Sequence, residues 1–173
     1  MPMTSIRRER PEDTAAIRVI NEAAFAQSAE ADIVDALRDS CPDILSLVAE
    51  TDGGIVGHIL FSPVTIEDGP QSRQGMGLAP IAVMPNRQRQ GIGSKLVEAG
   101  LEILRERGCP FVIVLGHPEF YPRFGFVPAS RHGLRCEWEG VPDAALMVLV
   151  LDEASIEGVT GVARYRDEFN AAM

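Results

Sequence analysis

Cysteines and long apolar runs are both scarce in this chain of 173 residues. Its three cysteines, Cys41, Cys109 and Cys136, are widely spaced and form no C-x-x-C pair. An odd number at this spacing fits neither a disulfide framework nor a zinc cluster, so we interpret all three as buried thiols. The longest apolar run, over residues 144–151, is strand-sized and far below the roughly 18 residues of a membrane span. We therefore predict no metal site and no membrane partner.

Positive charge is also scarce, and the N-terminal residues lack the features of a secretory leader. Lys and Arg number 16 against 25 Asp and Glu, which gives a formal net charge of −9. This balance disfavours nucleic acid, whose phosphates repel an anionic surface, and suits a neutral or cationic ligand. The first residues contain no apolar stretch of the kind that a secretory signal requires, so we expect a cytoplasmic protein.

Length and composition indicate one folded domain. At roughly 100–200 residues per domain a second core would not fit, and an apolar content of 46% is typical of a globular protein. We assign the domain to residues 1–151. The polar and weakly patterned residues 152–173 are interpreted as a C-terminal extension of the same domain.

Helical and strand periodicities alternate along the first part of the chain. Apolar residues at helical spacing predict helices over residues 11–25 and 29–40. Two β-branched, apolar-rich runs over residues 44–50 and 55–66 predict antiparallel strands, because a Thr-Asp-Gly-Gly turn signature joins them.

The second part of the chain predicts a parallel crossover. Residues 76–84 read as a strand that Pro80 interrupts, since proline removes a ladder donor and marks a bulge or an edge. A strongly amphipathic helix runs from Gly93 to a cap at Gly108, and the apolar run 111–115 predicts a strand buried on both faces. Strand, helix and strand in this order indicate a βαβ unit.

A glycine-containing loop opens the amphipathic helix. Gly91 and Gly93 let backbone N–H groups approach an anion without obstruction by a Cβ, so residues 88–94 are a candidate pyrophosphate cradle. The Walker pattern fails because Ser94 precedes the lysine, and the dinucleotide pattern fails because Leu96 stands where it needs glycine. For the loop alone, a glycine-opened helix without ligand is an open alternative.

Two motifs together resemble one superfamily. The loop reads Gln88-x-x-Gly91-x-Gly93 and, with the preceding residues 78–85, resembles the acetyl-coenzyme A motif of the GNAT acetyltransferases. About thirty residues on, the segment Phe-Tyr-Pro-Arg-Phe-Gly-Phe over residues 120–126 resembles the aromatic-x-x-x-Gly-Phe segment of that superfamily. The resemblance covers roughly residues 4–151. It implies an α/β fold with a mixed central sheet, a splayed pair of parallel strands and helices on both faces.

The resemblance also implies roles for particular residues. Acetyl-CoA would be the co-substrate, and a bulge near residues 80–82 would splay the strands so that the pantetheine arm pairs with the broken strand. Tyr121 falls on the family tyrosine that acts as general acid toward the thioester sulfur. The cofactor-binding residues implied are Ile81, Ala82 and Val83 on the strand and Gln88, Arg89, Gln90, Gly91, Ile92, Gly93 and Ser94 in the loop.

The sequence leaves open which residue is the general base and which residues form the acceptor wall. His117 follows the strand 111–115, where it is a base or acceptor-site candidate or a strand-end histidine satisfied by backbone. Glu119 is either a base or a first-turn helix charge, and His58 is a candidate for the substrate site. The asparagine and longer helical stretch that many members carry before the tyrosine are missing, so we expect a variant acceptor wall.

The function implied is transfer of acetyl from acetyl-CoA to a primary amine by direct attack, without a covalent enzyme intermediate. The acceptor is expected to be a small-molecule or peptide amine, and a homodimer is possible. A non-catalytic acyl-CoA sensor or partner-binding module on the same fold is the alternative, because it shares the glycine loop. A nucleotide-binding module is disfavoured by the two failed phosphate-loop patterns.

Overall fold

The computed structural model describes residues 3–68 and 70–172, which form a nine-stranded sheet with helices on both faces. Short 3-10 helices at Pro11–Asp13, Pro85–Arg87, Tyr121–Phe124, Ala129–His132, Asp143–Ala145 and Asp167–Ala172 connect the elements. The helices are α1 (Thr14–Phe25), α2 (Ala29–Ser40), α3 (Ile92–Glu106) and α4 (Glu153–Ile156). The strands are β1 (Ser5–Arg8), β2 (Leu45–Thr51), β3 (Gly54–Asp68), β4 (Gln71–Val83), β5 (Phe111–Leu115), β6 (Val127–Pro128), β7 (Leu134–Cys136), β8 (Leu146–Val150) and β9 (Gly161–Arg164).

The sheet is mixed, and one parallel pair stands at its centre. The main order is β1-β2-β3-β4-β5-β8-β6, in which β4 and β5 are parallel and the other neighbours are antiparallel. β9 pairs antiparallel with β3 and parallel with β7. The predicted fold class is confirmed, including the β2–β3 hairpin and the crossover through α3.

β4 begins earlier than the sequence predicts. The sequence predicts a strand that begins at residue 76, but the β3–β4 register already pairs Asp68 with Gln71. The residues from Gln71 to Gln74 are exposed, and their polar side chains look like those of a turn. They form an extended ribbon instead, because their backbone groups are paired with β3 while their side chains face water.

Two apolar cores lie on opposite faces of the sheet. α1 and α2 cover one face with Ile17, Ile33 and Leu37, while α3 covers the other with a stripe that includes Leu96 and Leu101. The close approach of α3 depends on Gly100, where an added Cβ would overlap the ring of buried Phe61.

The C-terminal residues add an edge to the α1–α2 face. Residues 152–172 contain α4 and β9, and β9 pairs Arg164 with Thr65 of β3. Tyr165 and Phe169 follow β9 and belong to the core on this face. Periodicity missed β9 because a four-residue strand is too short to show an alternating pattern.

A buried hydrogen-bond chain ties α1, α2 and the N-terminal segment to the sheet. The Asn21 amide donates to Nδ1 of His58 at 3.2 Å, so Nε2 carries the hydrogen and donates to the Ser46 hydroxyl at 2.9 Å. Ser46 donates to Glu9 at 2.7 Å, and Arg38 pairs with Glu9 at 2.8 Å. Full burial lowers the pKa of His58 to about 4, so the imidazole stays neutral near pH 7.

We predict that His58 makes stability depend on pH. Its folded pKa of about 4 lies below its ordinary 6.5, so the folded state binds the proton less well than the unfolded state. The contribution of neutral His58 to the free energy of unfolding is complete above pH 6.5 and is lost as the pH falls toward 4. Urea unfolding should therefore show a free energy about 2 kcal/mol lower at pH 5 than at pH 7.5.

His58→Gln is the matched variant, because its amide keeps a donor for Ser46 but does not titrate. This variant should be less stable at pH 7.5 and should show a much flatter profile between pH 5 and 7.5. Equal slopes for both proteins would contradict the assignment of the pH dependence to His58.

Candidate active site

β4 and β5 separate halfway along β4. Their parallel pairing ends at Leu78, opposite Val114. β4 stays paired with β3 as far as Val83, after a register shift that leaves one extra residue at positions 79–80. The bulge overlaps the predicted range, residues 80–82, at Pro80, and it leaves the second half of β4 without a neighbour on the β5 side.

The unpaired edge of β4 presents backbone groups to the resulting gap. The N–H of Met84 donates to the carbonyl of Val56 on β3 at 2.9 Å. Because backbone groups alternate in direction along a strand, those of Ile81 and Val83 face away from β3 and into the gap. A ligand with amide groups could therefore pair with this edge as an added strand.

The loop before α3 places free amides at the end of the gap. The Gln88 side chain donates to the Val83 carbonyl at 3.0 Å and so fixes the loop to the end of β4. Arg89 and Gly91 have positive φ angles of 63° and 84°. The amides from Gly91 to Ser94 have no backbone acceptor within the described chain, and they point out at the positive end of the α3 dipole. This arrangement makes the loop a candidate anion-binding site.

Positive side chains flank the free amides. Arg87, Arg89 and Lys95 line a cavity of about 500 Å³ beside the loop. None of the three pairs with a carboxylate among the residues that the structure describes. Sequence reasoning placed Arg89 in the cradle but missed Arg87 and Lys95, although both belong to the same basic stretch.

Tyr121 stands at the open side of the gap, on the 3-10 helix after β5. Its ring makes edge contacts with Phe120 at 5.0 Å and Phe126 at 5.7 Å between centroids. An added Cβ at Gly116 would come within 2.6 Å of this ring, so glycine is needed there for the ring to pack. Burial raises the pKa of Tyr121 to about 12, and its hydroxyl therefore stays protonated and able to donate.

A cavity of about 370 Å³ adjoins the gap beside Tyr121. Its walls are mainly aromatic and aliphatic, and they come from four parts of the chain. Those walls are Phe25, Glu30 and Ile33 of α1 and α2; residues 78–81 of β4; residues 115–117 and Tyr121 after β5; and Trp138, Tyr165 and Phe169.

The structure brings some predicted residues together and separates others. Ile81, His117 and Tyr121 line the cavity, with His117 exposed at its edge. Glu119 is exposed and is not among the cavity-lining residues, because its turn directs it to solvent. His58 also lies outside the cavity, contrary to our expectation, because it is fully buried in the polar chain under α1.

The other predicted cofactor contacts differ in exposure. Ala82 is buried, whereas Val83 is half-buried at the gap. Gln88 and Gln90 are exposed in the loop, while Ile92 is buried on the core side of α3. Gly93 is the most telling position, because an added Cβ there would lie 3.8 Å from Phe120 and 3.9 Å from Ile81. A side chain at this position would therefore contact both residues, between the loop and the gap.

Sequence reasoning missed the aromatic wall of the cavity. Trp138, Tyr165 and Phe169 come from segments without clear periodicity, and long-range packing brings them beside β4. A weak signal was present, since Tyr165 and Phe169 stand four residues apart in an otherwise polar stretch.

Across residues 3–68 and 70–172, no group of three or more His, Cys, Asp or Glu side chains is arranged to hold a metal ion. None of the helices in this part of the chain has the length and apolar character needed to cross a membrane.

Comparisons with known proteins agree with this geometry. The model of the acetyltransferase (GNAT) family matches residues 12–126. The N-acetyltransferase YhbS of Escherichia coli K12 is 39% identical over 166 residues, which cover 95% of this chain and 98% of the relative. Its crystal structure in complex with CoA has a TM-score of 0.91 at 38% identity, covering 98% of this chain and 93% of that chain.

A second crystal structure is similar over the same extent. A GNAT family acetyltransferase from Brucella melitensis, in complex with acetyl-CoA, has a TM-score of 0.78 at 38% identity and covers 96% of this chain and 98% of that chain. The match of a family model to most of the chain agrees with the splayed strands and the free amides before α3. The chain therefore belongs to the GNAT family of acetyltransferases.

Proposed function

We propose that this protein moves the acetyl group of acetyl-CoA to a primary amine by direct attack, with Tyr121 as general acid. The proposal rests on the way three parts of the site lie around one gap. The free amides of Gly91–Ser94, the open edge of β4 and the Tyr121 ring surround a single gap that opens into a cavity. The two similar structures described above, which contain CoA and acetyl-CoA, support the choice of co-substrate.

The residues around the gap fit the parts of acetyl-CoA. The amides from Gly91 to Ser94 would hold the pyrophosphate, and Arg87, Arg89 and Lys95 would compensate the phosphate charge. The backbone groups of Ile81 and Val83 would pair with the amides of the pantetheine arm. Gly93 leaves the passage between loop and gap free of a side chain.

Bound acetyl-CoA would supply a thioester carbonyl for the amine to attack and a thiolate to leave. One backbone N–H on the open edge of β4, that of Val83 or Ile81, would stabilise the oxyanion instead of pairing with the pantetheine arm, an effect worth about 10²–10³ in rate. Tyr121 would donate a proton toward the leaving sulfur, for which about 10²–10⁴ is the usual range.

The acid strength of Tyr121 constrains this step. A thiol has an ordinary pKa of about 8.5, whereas burial raises the pKa of Tyr121 to about 12. The thiolate is thus a weaker base than the Tyr121 phenolate, so the hydroxyl shares its proton in the transition state. The proton released by the acceptor amine then balances the reaction.

The acceptor amine must be neutral to attack. An amine with a pKa of about 10.4 costs about 4.6 kcal/mol to deprotonate at pH 7, whereas an α-amine near 7.7 costs about 1 kcal/mol. His117 is our candidate base because it lines the cavity. Glu119 is disfavoured for this role by its position outside the cavity.

The remaining expectations stay predictions. The formal net charge of −9 supports the absence of a nucleic-acid partner. The cytoplasmic location and the possible homodimer also remain predictions.

Tyr121→Phe should lower kcat by about 10²-fold while leaving the KM for acetyl-CoA within about twofold, because only the proton donor is removed. The measurement is release of free thiol with an amine acceptor. Phe124→Leu, on the same 3-10 helix, controls for general loosening of the segment. An unchanged kcat would remove Tyr121 from the acid role, and tight CoA binding without turnover of any amine would favour the sensor.

Replacing the cations beside the loop should weaken cofactor binding. Arg89→Gln and Lys95→Gln should each raise the Kd for CoA by about tenfold, because each loses a charge-assisted contact to phosphate. Isothermal titration calorimetry at two salt concentrations measures this loss and its expected decrease at high salt. Arg105→Gln, in the last turn of α3, is the control and should bind CoA normally. Equal Kd values in all four proteins would contradict the proposed phosphate site.

A further inference from the structure

Glu30 is the one carboxylate among the described residues that line the cavity beside Tyr121. It lies in the first turn of α2 and is half-buried. Its two carboxylate oxygens accept hydrogen bonds from the Gln27 side-chain amide at 3.0 and 3.1 Å. A carboxylate has about four acceptor positions, so Gln27 orients this group and leaves about half of its capacity free.

Glu30 differs from the other carboxylates of α2 that lie near it. Asp32 and Asp35 both pair with Arg18, at 2.8 and 2.7 Å. Glu30 pairs with no Lys, Arg or His side chain across the part of the chain that the structure describes. A cation bound in the cavity could therefore form a charge-assisted hydrogen bond with Glu30 without displacing a partner from it.

The cavity connects the two faces of the sheet at the gap. Tyr121 belongs to the core on the α3 face, whereas Ile33, one turn after Glu30, belongs to the core on the α1–α2 face. Residues 78–81 of β4 line the cavity between them. A group held by Glu30 thus lies across the sheet from the nitrogen that would react beside Tyr121, so it must be a second group of the acceptor.

The space between these two positions is apolar and small. The cavity volume of about 370 Å³ lies near the lower end of the range for small-molecule sites. Such walls pack against a hydrocarbon chain or ring but give a charge no partner, so a charge is favoured only at the Glu30 end. The apolar side chains that line the cavity include Phe25, Pro80, Leu115 and Trp138.

We propose that the acceptor is a primary amine on an apolar chain or ring that carries a second, cationic group, and that the Glu30 carboxylate binds this second group. The inference rests on the function proposed above. The reacting nitrogen must be neutral, whereas a second aliphatic amine with a pKa of about 10.4 stays charged at pH 7. Its ammonium would donate to Glu30 while the neutral amine attacks the thioester beside Tyr121.

Matched pairs of amines test the substrate class. Each pair compares a diamine with the monoamine of the same chain length: propane-1,3-diamine with propylamine, pentane-1,5-diamine with pentylamine, and octane-1,8-diamine with octylamine. With acetyl-CoA fixed and thiol release as the readout, kcat/KM should be at least about fivefold higher for the diamine in one or more pairs. This ratio exceeds the twofold advantage that a second amino group gives by number alone.

The failures of the two proposals give different results in this panel. Ratios below about fivefold in every pair, with thiol still released, would overturn this inference and leave the acetyltransferase function intact. No thiol release with any amine would overturn the proposed function, and this inference with it.

Glu30→Gln removes the charge and keeps the size of the side chain. With the pair that shows the largest ratio, its KM for the diamine should rise about three- to tenfold, because an ion pair is lost. Its kcat and its KM values for the monoamine and for acetyl-CoA should stay within about twofold. The difference in diamine KM between the two proteins should shrink at high salt, since salt screens the ion pair of the unsubstituted protein.

Asp32→Asn is the matched control, because it removes a carboxylate from the same turn of α2 outside the cavity. It should keep the KM of the unsubstituted protein for both amines. An equal rise in KM for diamine and monoamine in Glu30→Gln would show that Glu30 only shapes the cavity wall. That result, an unchanged diamine KM, or the same change in Asp32→Asn would each overturn the assignment.

Discussion

The divergence of β4 from β5 after Leu78 is the constraint on which the site depends. Continued pairing would use the backbone groups of Ile81 and Val83 inside the sheet and leave no gap. The extra residue at positions 79–80 prevents this, and Pro80 offers no N–H for a ladder. The second half of β4 thus has an open edge within the sheet. The backbone groups of an added strand could pair with this edge.

The acidic chain concentrates positive charge where the amides are free. Its net charge of −9 would repel a phosphorylated ligand at long range. Arg87, Arg89 and Lys95 collect around the first turn of α3, and the described carboxylates do not pair with them. At the proposed phosphate site, short-range hydrogen bonds and local cations would therefore outweigh the net charge, because salt screens the longer-range repulsion.

The proposed acceptor side of the cavity depends on contacts between distant segments. α1 and α2 bring Phe25 and Ile33 to the cavity, and the buried chain from Asn21 through His58 to Glu9 holds these helices on the sheet. The opposite wall comes from the C-terminal residues through the pairing of β9 with β3. This placement explains why His58, a plausible substrate residue by its type, stabilises the fold instead.

Sequence patterns predicted the fold, which the structure confirms, and singled out the loop of the proposed cofactor site, because both are encoded locally. The stripe of α3, the turn between β2 and β3 and the spacing of Gly91 and Gly93 each lie within one short stretch of chain, so periodicity and glycine placement are sufficient to predict them. The acceptor side was beyond such reasoning. Glu119 and Tyr165 illustrate why: only packing decides that the first turns to solvent and that the second, from a segment without periodicity, reaches the cavity. Which side chains meet across a cavity depends on register and burial between segments far apart in the chain, and no local pattern records these.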